Sequence, residues 1–390
     1  MRKLLASPVN MALTAAENTI YQNALKYIAD ISLNLMATKV KDRPEDFLSW
    51  CRELNRLCKE DLNQDLLDES QVSSFKKLQE ILESAISIGQ LKLLLITPWP
   101  IYASFCQEHA QATALDERLR LLAYSQNILT QIETGVIEED KLVLAGKHTA
   151  KHDPSIYDFD VEWFGSCKGQ KLFVQLLQQQ TEQFAEALNE IPAAGEVTYP
   201  QYQAFCDKYK QIFITNGEAA ATLYPATRLL ALKRPDVFVA LSSQKVDAIC
   251  QGLSIAKVKK SDFSAYWQDL IMTLQTCPWW KAAEPEDEFE KSLWQYRAIL
   301  IDLFFYADLQ SASKSNYIKL RDKPKRTSKT PSIGPKNKRS KDSVIIMVDR
   351  ALAADDIPQF IRNNRDAIIS QVMGGKNIDE VIGLMRSIFG

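Results

Sequence analysis

Residues 47–58 read Phe-Leu-Ser-Trp-Cys-Arg-Glu-Leu-Asn-Arg-Leu-Cys, and the spacing of their apolar side chains decides the fold class. The apolar positions Phe47, Trp50, Leu54, Leu57 and Cys58 recur with the 3.6-residue period of a helix that has one apolar face. Apolar positions with the same period recur over residues 75–85 and 115–132. The sequence therefore predicts a mainly α, multi-helical protein, with at most a short strand or hairpin near residues 155–165.

The composition excludes several classes of protein. The 390 residues leave room for two or three domains, but only 13 are glycine, which argues against folds built on glycine-rich phosphate loops. The formal net charge is −2, and no apolar run is long enough to span a bilayer, so we expect no membrane partner. The seven cysteines are an odd number without a Cys-x-x-Cys pair, which indicates a reducing cytoplasm.

Changes in composition along the chain predict its domains. We expect a helical domain over residues 1–145, a second, mostly helical domain over 146–315, a flexible basic linker over 316–343 and a small helical module over 344–390. In the second domain the spacing predicts helices over the ranges 170–189, 198–214, 218–233, 242–252, 261–276 and 285–308.

The linker carries the strongest charge asymmetry of the chain. Residues 321–341 contain nine Lys and Arg against one Asp, a net charge of +8, so the rest of the chain carries −10. Three prolines and no aromatic residue argue against a packed element. Basic residues on such a tether are expected to contact nucleic-acid phosphates: Lys323, Lys325, Arg326, Lys336, Lys338 and Arg339.

An acidic segment offers the best candidate for catalysis. Asp158, Asp160 and Glu162 alternate, so a strand would place all three carboxylates on one face, with Lys168 following. Such a set could hold Mg²⁺ in a metal-dependent nuclease. The lysine is six residues beyond Glu162 rather than the usual two, and we therefore favour an exposed polar face without catalytic function.

Gly165-Ser166-Cys167-Lys168-Gly169 has the residues of a phosphate-binding turn. Two glycines, a hydroxyl group and a lysine precede the predicted start of a helix, where free amides can hold an anion. The spacing differs from that of nucleotide-binding phosphate loops, and a tight turn with a helix cap is the alternative. We predict Ser166, Lys168 and Gly169 as its phosphate-contacting residues.

The three histidines raise the question of a metal site. His148 and His152 are four residues apart and would share one face of a helix, and Cys106 and His109 could add ligands. Pro154 and the polar composition favour a loop around the first pair. We therefore predict neither a metal site nor a cofactor.

Residues 225–267 contain a helix that ends at a basic pair, a Pro235-Asp236 turn, and a following helix capped by Ser242 or Ser243. This stretch resembles regions of helix-hairpin-helix glycosylase-like folds and of accessory proteins of bacterial restriction and anti-phage loci. The glycine-rich hairpin of those folds is missing, so no catalytic residue carries over. The resemblance implies a phosphate-facing rim, with a solvated helix surface as the alternative. Its residues would be Arg228, Lys233, Arg234, Lys245, Lys257, Lys259 and Lys260.

These observations favour a non-catalytic DNA- or RNA-binding or scaffolding component of a multi-protein anti-phage defence system. The defence assignment comes from the resemblance alone. Two alternatives stay open: a metal-dependent nuclease that uses the acidic segment, and an adaptor that docks a protein partner through the C-terminal helices.

Overall fold

The computed structural model of this chain consists of helices joined by turns. It describes residues 12–31, 44, 46–217, 219–306, 317, 341–354 and 357–389. Among them no strand occurs, which confirms the prediction of a mainly α fold, and residues 155–165 form turns. The chain divides into two compact units, Met1–Lys323 and Pro324–Gly390.

The larger unit contains most of the helices. In chain order these are α1 (Ala15–Asp30), α2 (Phe47–Arg56), α3 (Glu69–Leu94), α4 (Trp99–Glu108), α5 (Leu115–Gln131), α6 (Glu138–Leu144), α7 (Lys171–Gln179), α8 (Thr181–Leu188), α9 (Tyr199–Gly217), α10 (Leu223–Lys233), α11 (Val246–Gly252), α12 and α13 (Glu288–Gln295). Helix α12 is a continuous run of an α-turn (Phe263–Ala265), a π-helical segment (Tyr266–Ile271) and a final α-turn (Met272–Gln275). A π-turn (Leu57–Asp61) extends α2, and two short 3-10 helices lie at Gln64–Leu66 and Ile299–Phe304.

A small apolar core joins the first three helices. Helix α3 packs against α1 and α2, and the sequence explains where each helix begins. Thr14 and Asp68 form capping boxes with the residues three positions on, and the Asp46 carboxylate accepts the Ser49 amide at 2.8 Å. Trp50 and Leu54, from the stretch that predicted the fold, are fully buried in this core. The apolar face that their spacing predicted is therefore the buried face of α2.

A second, larger core runs from the end of α3 to the 3-10 helix Ile299–Phe304. Helix α10 lies within it and packs against α5, α6 and α8. Because these helices come from both sides of residue 145, the boundary expected between residues 1–145 and 146–315 does not separate two cores. The division between the cores falls within α3, whose Leu82 packs in the small core and whose Leu91 packs in the large one.

Two of the expected helices are interrupted. The helix expected over 170–189 divides at Gln180, whose φ of −122° and ψ of 36° end α7 and begin α8. The helix expected over 285–308 ends at Gln295, because the amides of Ala298 and Ile299 both donate to the carbonyl oxygen of Pro235 at 3.0 Å. In the second case a tertiary hydrogen bond replaces the continuation of the helix.

The smaller unit contains α14 (Lys341–Leu352), α15 (Gln359–Asn363), α16 (Arg365–Met373) and α17 (Ile378–Phe389). Val348, Ile361 and Ile368 are among the residues of its small core. The helical module expected over residues 344–390 lies within this unit. Among the described residues, each helix of either unit is too short or too polar to cross a membrane.

Candidate nucleic-acid interface

Arg228 is a fully buried cation at the centre of the larger unit. An arginine side chain has five N–H donors, and here each has a backbone carbonyl acceptor. Four of the five bonds are 2.7–3.0 Å long. The acceptors are the carbonyl oxygens of Val143, Leu144, Val161, Trp163 and Phe164. The predicted phosphate contact at Arg228 is therefore wrong, because the group is inaccessible and its donors are already used.

The position of Arg228 also has an electrostatic explanation. Val143 and Leu144 end α6, where the last carbonyl groups lack intrahelical donors and carry the negative end of the helix dipole. A cation placed there satisfies the Leu144 carbonyl, is a second donor to the Val143 carbonyl, which also accepts the Gly146 amide at 2.9 Å, and joins the end of α6 to residues 161–164. Burial lowers the pKa of the Arg228 guanidinium to about 10, so the group stays protonated at neutral pH.

The Gly165–Gly169 turn is fastened to the end of α6. The Cys167 amide donates to the Ala145 carbonyl at 2.9 Å, and the Ser166 hydroxyl donates to the Gly146 carbonyl. Gly146 has a φ of +66°, and a Cβ there would lie 2.8 Å from Cζ of Arg228. Glycine is therefore needed where the turn, α6 and Arg228 meet. The predicted phosphate contact at Ser166 is not available, because its hydroxyl proton is used within the protein.

The hydrogen bonds between this turn and the end of α6 place three lysines around one concave surface, which we call the lysine groove. Its volume is about 520 Å³, and it is lined by Glu138, Lys147, Lys168, Lys171, Val174, Gln175, Gln178 and Gln179. Lys147 is half-buried, whereas Lys168 and Lys171 are exposed. Two of these lysines, Lys147 and Lys171, form no side-chain hydrogen bond or ion pair with the part of the chain that the structure describes.

The other charged groups of the lysine groove are paired. Lys168, predicted from the turn, forms an ion pair with Glu162 and keeps half of its side chain exposed. Glu138 accepts hydrogen bonds from Lys141 at 2.7 Å and from Gln178 at 2.9 Å, and these partners hold the pKa of Glu138 below its usual value. The two unpaired lysines therefore leave the groove cationic. Gly169, the third predicted residue, is exposed at the turn beside it.

The acidic segment does not form the face that a strand would give it. Asp158 is exposed and pairs with Arg120, whereas Asp160 is buried and accepts the Glu162 amide at 2.9 Å. The Glu162 carboxylate pairs with Lys168. The structure thus contradicts the convergence of Asp158, Asp160 and Glu162 on one metal ion, because residues 155–165 are turns that direct these groups to different partners.

The rim predicted within residues 225–267 is mostly internal. Arg234 is buried and forms a bidentate ion pair with Asp236, with hydrogen bonds of 2.8 and 2.9 Å. Its guanidinium also donates to the carbonyl oxygens of Pro192 and Gly195. Its predicted phosphate contact is therefore wrong, for the same reason as at Arg228. Lys233 is half-buried, and burial lowers its pKa.

Lys245 belongs to a buried charge cluster rather than to a surface. Its ammonium group and the Arg118 guanidinium both bind the Asp302 carboxylate, with Arg118 at 2.7 Å. Burial by itself would raise the pKa of Asp302, but the two cations bring it below its usual value. Lys245 is thus committed to the protein interior.

Three lysines of the predicted rim are exposed. Lys257 forms an ion pair with Asp247 at 2.8 Å, and Lys259 and Lys260 have exposed side chains. Of the seven residues predicted there, these three are accessible to a ligand and Lys233 is partly so. The linker residues Lys323, Lys325, Arg326, Lys336, Lys338 and Arg339 lie outside the described residues.

The histidines form an aromatic contact in a loop. The rings of His148 and His152 stack with centroids 4.5 Å apart, and His152 also packs against Tyr157. His109 ends α4, where its ring packs on Phe105. In the described parts of the chain, no three His, Cys, Asp or Glu side chains are grouped as metal ligands would be. All seven cysteines are free and buried.

Sequence reasoning missed most of the lysine groove. Lys147 and Lys171 were not predicted, and neither were the glutamines that line its floor. One available signal was the position of the two lysines, which follow Gly146 and Gly169 closely in the sequence. Comparisons of the chain with protein-family models, with curated proteins and with solved structures find no match. The resemblance of residues 225–267 therefore stays a prediction.

Proposed function

We propose that this chain binds nucleic acid through the lysine groove and catalyses no reaction on it. The observation that carries the proposal is the convergence of Lys147, Lys168 and Lys171 on one concave surface, where two of the three lack a partner among the described residues. Contact between a surface lysine without a carboxylate partner and a phosphate has a favourable free energy, because the contact releases the counterions condensed on the nucleic acid.

The other side chains of the lysine groove also suit this ligand. Phosphate and sugar groups accept hydrogen bonds from glutamine amides as well as from lysines, and Gln175, Gln178 and Gln179 line the same surface. The overall charge of −2 gives no general attraction to nucleic acid, so binding would depend on local groups. The exposed Lys257, Lys259 and Lys260 and the basic linker are further candidates for phosphate contact.

The absence of catalysis is supported by how the acidic segment is used. A nuclease needs carboxylates that share a metal ion and position a water molecule. Asp158 and Glu162 instead pair with Arg120 and Lys168, and Asp160 is buried within its own turn. Arranging these groups around a metal would require breaking both ion pairs.

The test removes the two unpaired charges. Lys147→Gln combined with Lys171→Gln is compared with a matched control, Lys76→Gln combined with Lys281→Gln, which removes two exposed lysines elsewhere. Binding of a fluorescein-labelled 20-nucleotide single strand and of its duplex is measured by anisotropy over a series of salt concentrations. We expect the groove variant to lose about tenfold in affinity at low salt, and its salt slope to decrease by roughly 0.7–0.9 for each lysine removed.

The control defines what would contradict the proposal. The control variant should bind as the unmodified chain does, because its lysines are not among the residues that line the lysine groove. Equal losses in both variants would mean that charge anywhere on the surface suffices. Unchanged binding in the groove variant would remove the groove from the interface and leave the linker and the three exposed lysines as candidates.

A role in bacterial anti-phage defence is part of this proposal and rests on the resemblance of residues 225–267. Neighbouring genes test it without a binding assay. Genes for a helicase or a nuclease beside this one would support the role, whereas genes for metabolic enzymes would contradict it.

A second candidate function, protein docking by the smaller unit, is favoured by its exposed apolar side chains. Ile346 is 64% exposed and Leu384 is 55% exposed, and a unit of this size buries little apolar surface of its own. Ile346→Ser and Leu384→Ser test this function in the full chain by sedimentation velocity. They should reduce any self-association while leaving nucleic-acid affinity unchanged, the opposite of the result expected for the groove variant.

A further inference from the structure

A second pocket adjoins the lysine groove and shares two of its lining residues. This glutamine pocket has a volume of about 340 Å³ and is lined by Ile132, Glu133, Gly135, Val136, Lys141 and the six residues from Gln178 to Gln183. Gln178 and Gln179 line both cavities. A ligand held in the lysine groove therefore lies next to the glutamine pocket, with Gln178 and Gln179 bordering both cavities.

The glutamine pocket exists because α7 and α8 are separated at Gln180. At this break the Thr181 hydroxyl donates to the Leu177 carbonyl at 2.8 Å, and the Lys141 ammonium group donates to the Gln178 carbonyl at 3.2 Å. These bonds satisfy carbonyl groups that the interrupted helix leaves without donors. At the break Gln179 is exposed, whereas Gln178 and Gln180 are half-buried.

The amide groups at this break keep unused hydrogen-bonding capacity. The oxygen of Gln179 accepts a long bond of 3.4 Å from Gln175, and the oxygen of Gln180 accepts a bond of 2.9 Å from Gln183. The side-chain amide nitrogens of Gln179 and Gln180 donate to no group in the ranges that the structure describes. Each side chain therefore offers two N–H donors beside a carbonyl oxygen that has a second lone pair.

We propose that the two cavities together bind a single strand of nucleic acid, with phosphates on the lysines and an unpaired base in the glutamine pocket. The inference rests on the proposed function and adds the form of the nucleic acid and the manner of its recognition. A glutamine amide pairs its donor and acceptor with the adjacent acceptor and donor on a base edge, and adenine is the base that it matches best in known interfaces.

The shape of the cavities excludes a duplex from this mode of binding. In a duplex the base edges lie at the bottom of a groove and are reached by a protruding helix or ribbon. Here the amides line a concave pocket, so a base must leave its stack and enter it, as bases of single strands do. The residues lining the glutamine pocket include no aromatic side chain, and hydrogen bonding rather than stacking would therefore determine which base is preferred.

The experiment separates phosphate contacts from base contacts. Three 12-nucleotide single strands with equal phosphate numbers are used: all-adenine, all-thymine and abasic. We expect the all-adenine strand to bind at least about fivefold more tightly than the abasic strand. Gln180→Leu should remove this difference and leave abasic binding unchanged, because Gln180 lines the glutamine pocket but not the lysine groove. Lys147→Gln with Lys171→Gln should instead weaken the binding of all three strands alike.

Gln175→Leu is the matched control, because Gln175 lines the lysine groove but not the glutamine pocket. It should keep the preference for adenine. Gln183→Leu, which removes the side chain that donates to the Gln180 oxygen, provides a second variant if Gln180→Leu lowers the melting temperature. Equal affinity for the all-adenine and abasic strands would overturn this inference and leave the proposed function intact. If the variant with Lys147→Gln and Lys171→Gln binds all three strands as tightly as the unmodified chain does, the proposed function is overturned instead.

Discussion

Arg228→Lys is the substitution that tests most directly how the lysine groove is held. Lysine keeps a positive charge at this point of α10 but has three N–H donors instead of five. At least two of the five carbonyl groups would lose their bond to residue 228, and because the Val143 carbonyl keeps the Gly146 amide, one or two of them would have no donor. Each unsatisfied buried carbonyl costs about 1–3 kcal/mol, so the free energy of unfolding should fall by about 1–6 kcal/mol. This is a large part of the roughly 5–15 kcal/mol that stabilises a typical domain.

Urea unfolding followed by circular dichroism measures the change as a shift of the midpoint. Arg120→Lys is the control, because Arg120 is half-exposed and forms a surface ion pair with Asp158. Such pairs contribute about 0–1 kcal/mol, so this variant should unfold close to the unmodified chain. If Arg228→Lys and Arg120→Lys unfold at the same urea concentration, the five hydrogen bonds contribute little and the reasoning fails.

A double-mutant cycle makes the test specific to the contact. Gly146→Ala places a Cβ 2.8 Å from Cζ of Arg228 and should destabilise the chain by itself. With Arg228→Lys present, the guanidinium that the new methyl group meets is gone, so the second substitution should cost less than it does alone. A coupling energy of about 0.5–3 kcal/mol is expected for residues in contact, whereas simple additivity would contradict the geometry.

Three further predictions concern other regions. Burial, with the charge of His152 as a smaller cause, lowers the pKa of His148 to about 4. As the pH falls from about 6.5 to 4 the unfolded state binds the proton first, so the free energy of unfolding should drop by up to about 3 kcal/mol in urea titrations. His148→Phe should remove most of this drop and leave a smaller one, because burial also lowers the pKa of His152. Phe238 is fully buried among aromatic rings, so Phe238→Ala should cost about 3–5 kcal/mol by thermal unfolding, and a cost below about 1 kcal/mol would contradict this packing. Deleting residues 321–340 should weaken nucleic-acid binding and flatten its salt dependence with the melting temperature unchanged; undiminished binding would make the segment a spacer.

The helical fold could be predicted because its main determinant is local. The period of the apolar positions in residues 47–58 depends only on neighbouring residues, and the structure buries Trp50 and Leu54 as that period requires. The same reasoning located the ends of α10 and α11 but placed their starts about four or five residues too early, and it located both ends of α9 to within about three residues. Periodicity is informative here because one face of each helix meets the core.

The interruptions could not be predicted because their causes lie far away in the sequence. Helix α13 ends just before the amides of Ala298 and Ile299, which donate to the Pro235 carbonyl oxygen about 60 residues earlier in the chain. The separation of α7 from α8 involves Lys141, which reaches the Gln178 carbonyl from α6. Glutamine is a good helix former, so the run Gln178–Gln180 carries no local signal of a break.

The candidate site was predicted in part, and the error at its centre has a physical cause. Arg228 and Lys245 were predicted as surface groups because a sequence shows basic residues but not the carbonyls or carboxylates that surround them. A guanidinium can satisfy five acceptors from separate segments, which makes arginine the basic residue best suited to an interior position.

The buried arginine and the exposed lysines are parts of one arrangement. Lys147 follows the end of α6, and Lys168 follows residues 161–164, the two segments that Arg228 joins. A variant that loosens this junction should lower nucleic-acid affinity without touching any residue of the lysine groove. Arg228→Lys, assayed well below its melting temperature, should therefore weaken binding of the abasic strand, whereas Arg120→Lys should not. Unchanged affinity in Arg228→Lys would mean that the lysines hold their positions independently of the buried cation.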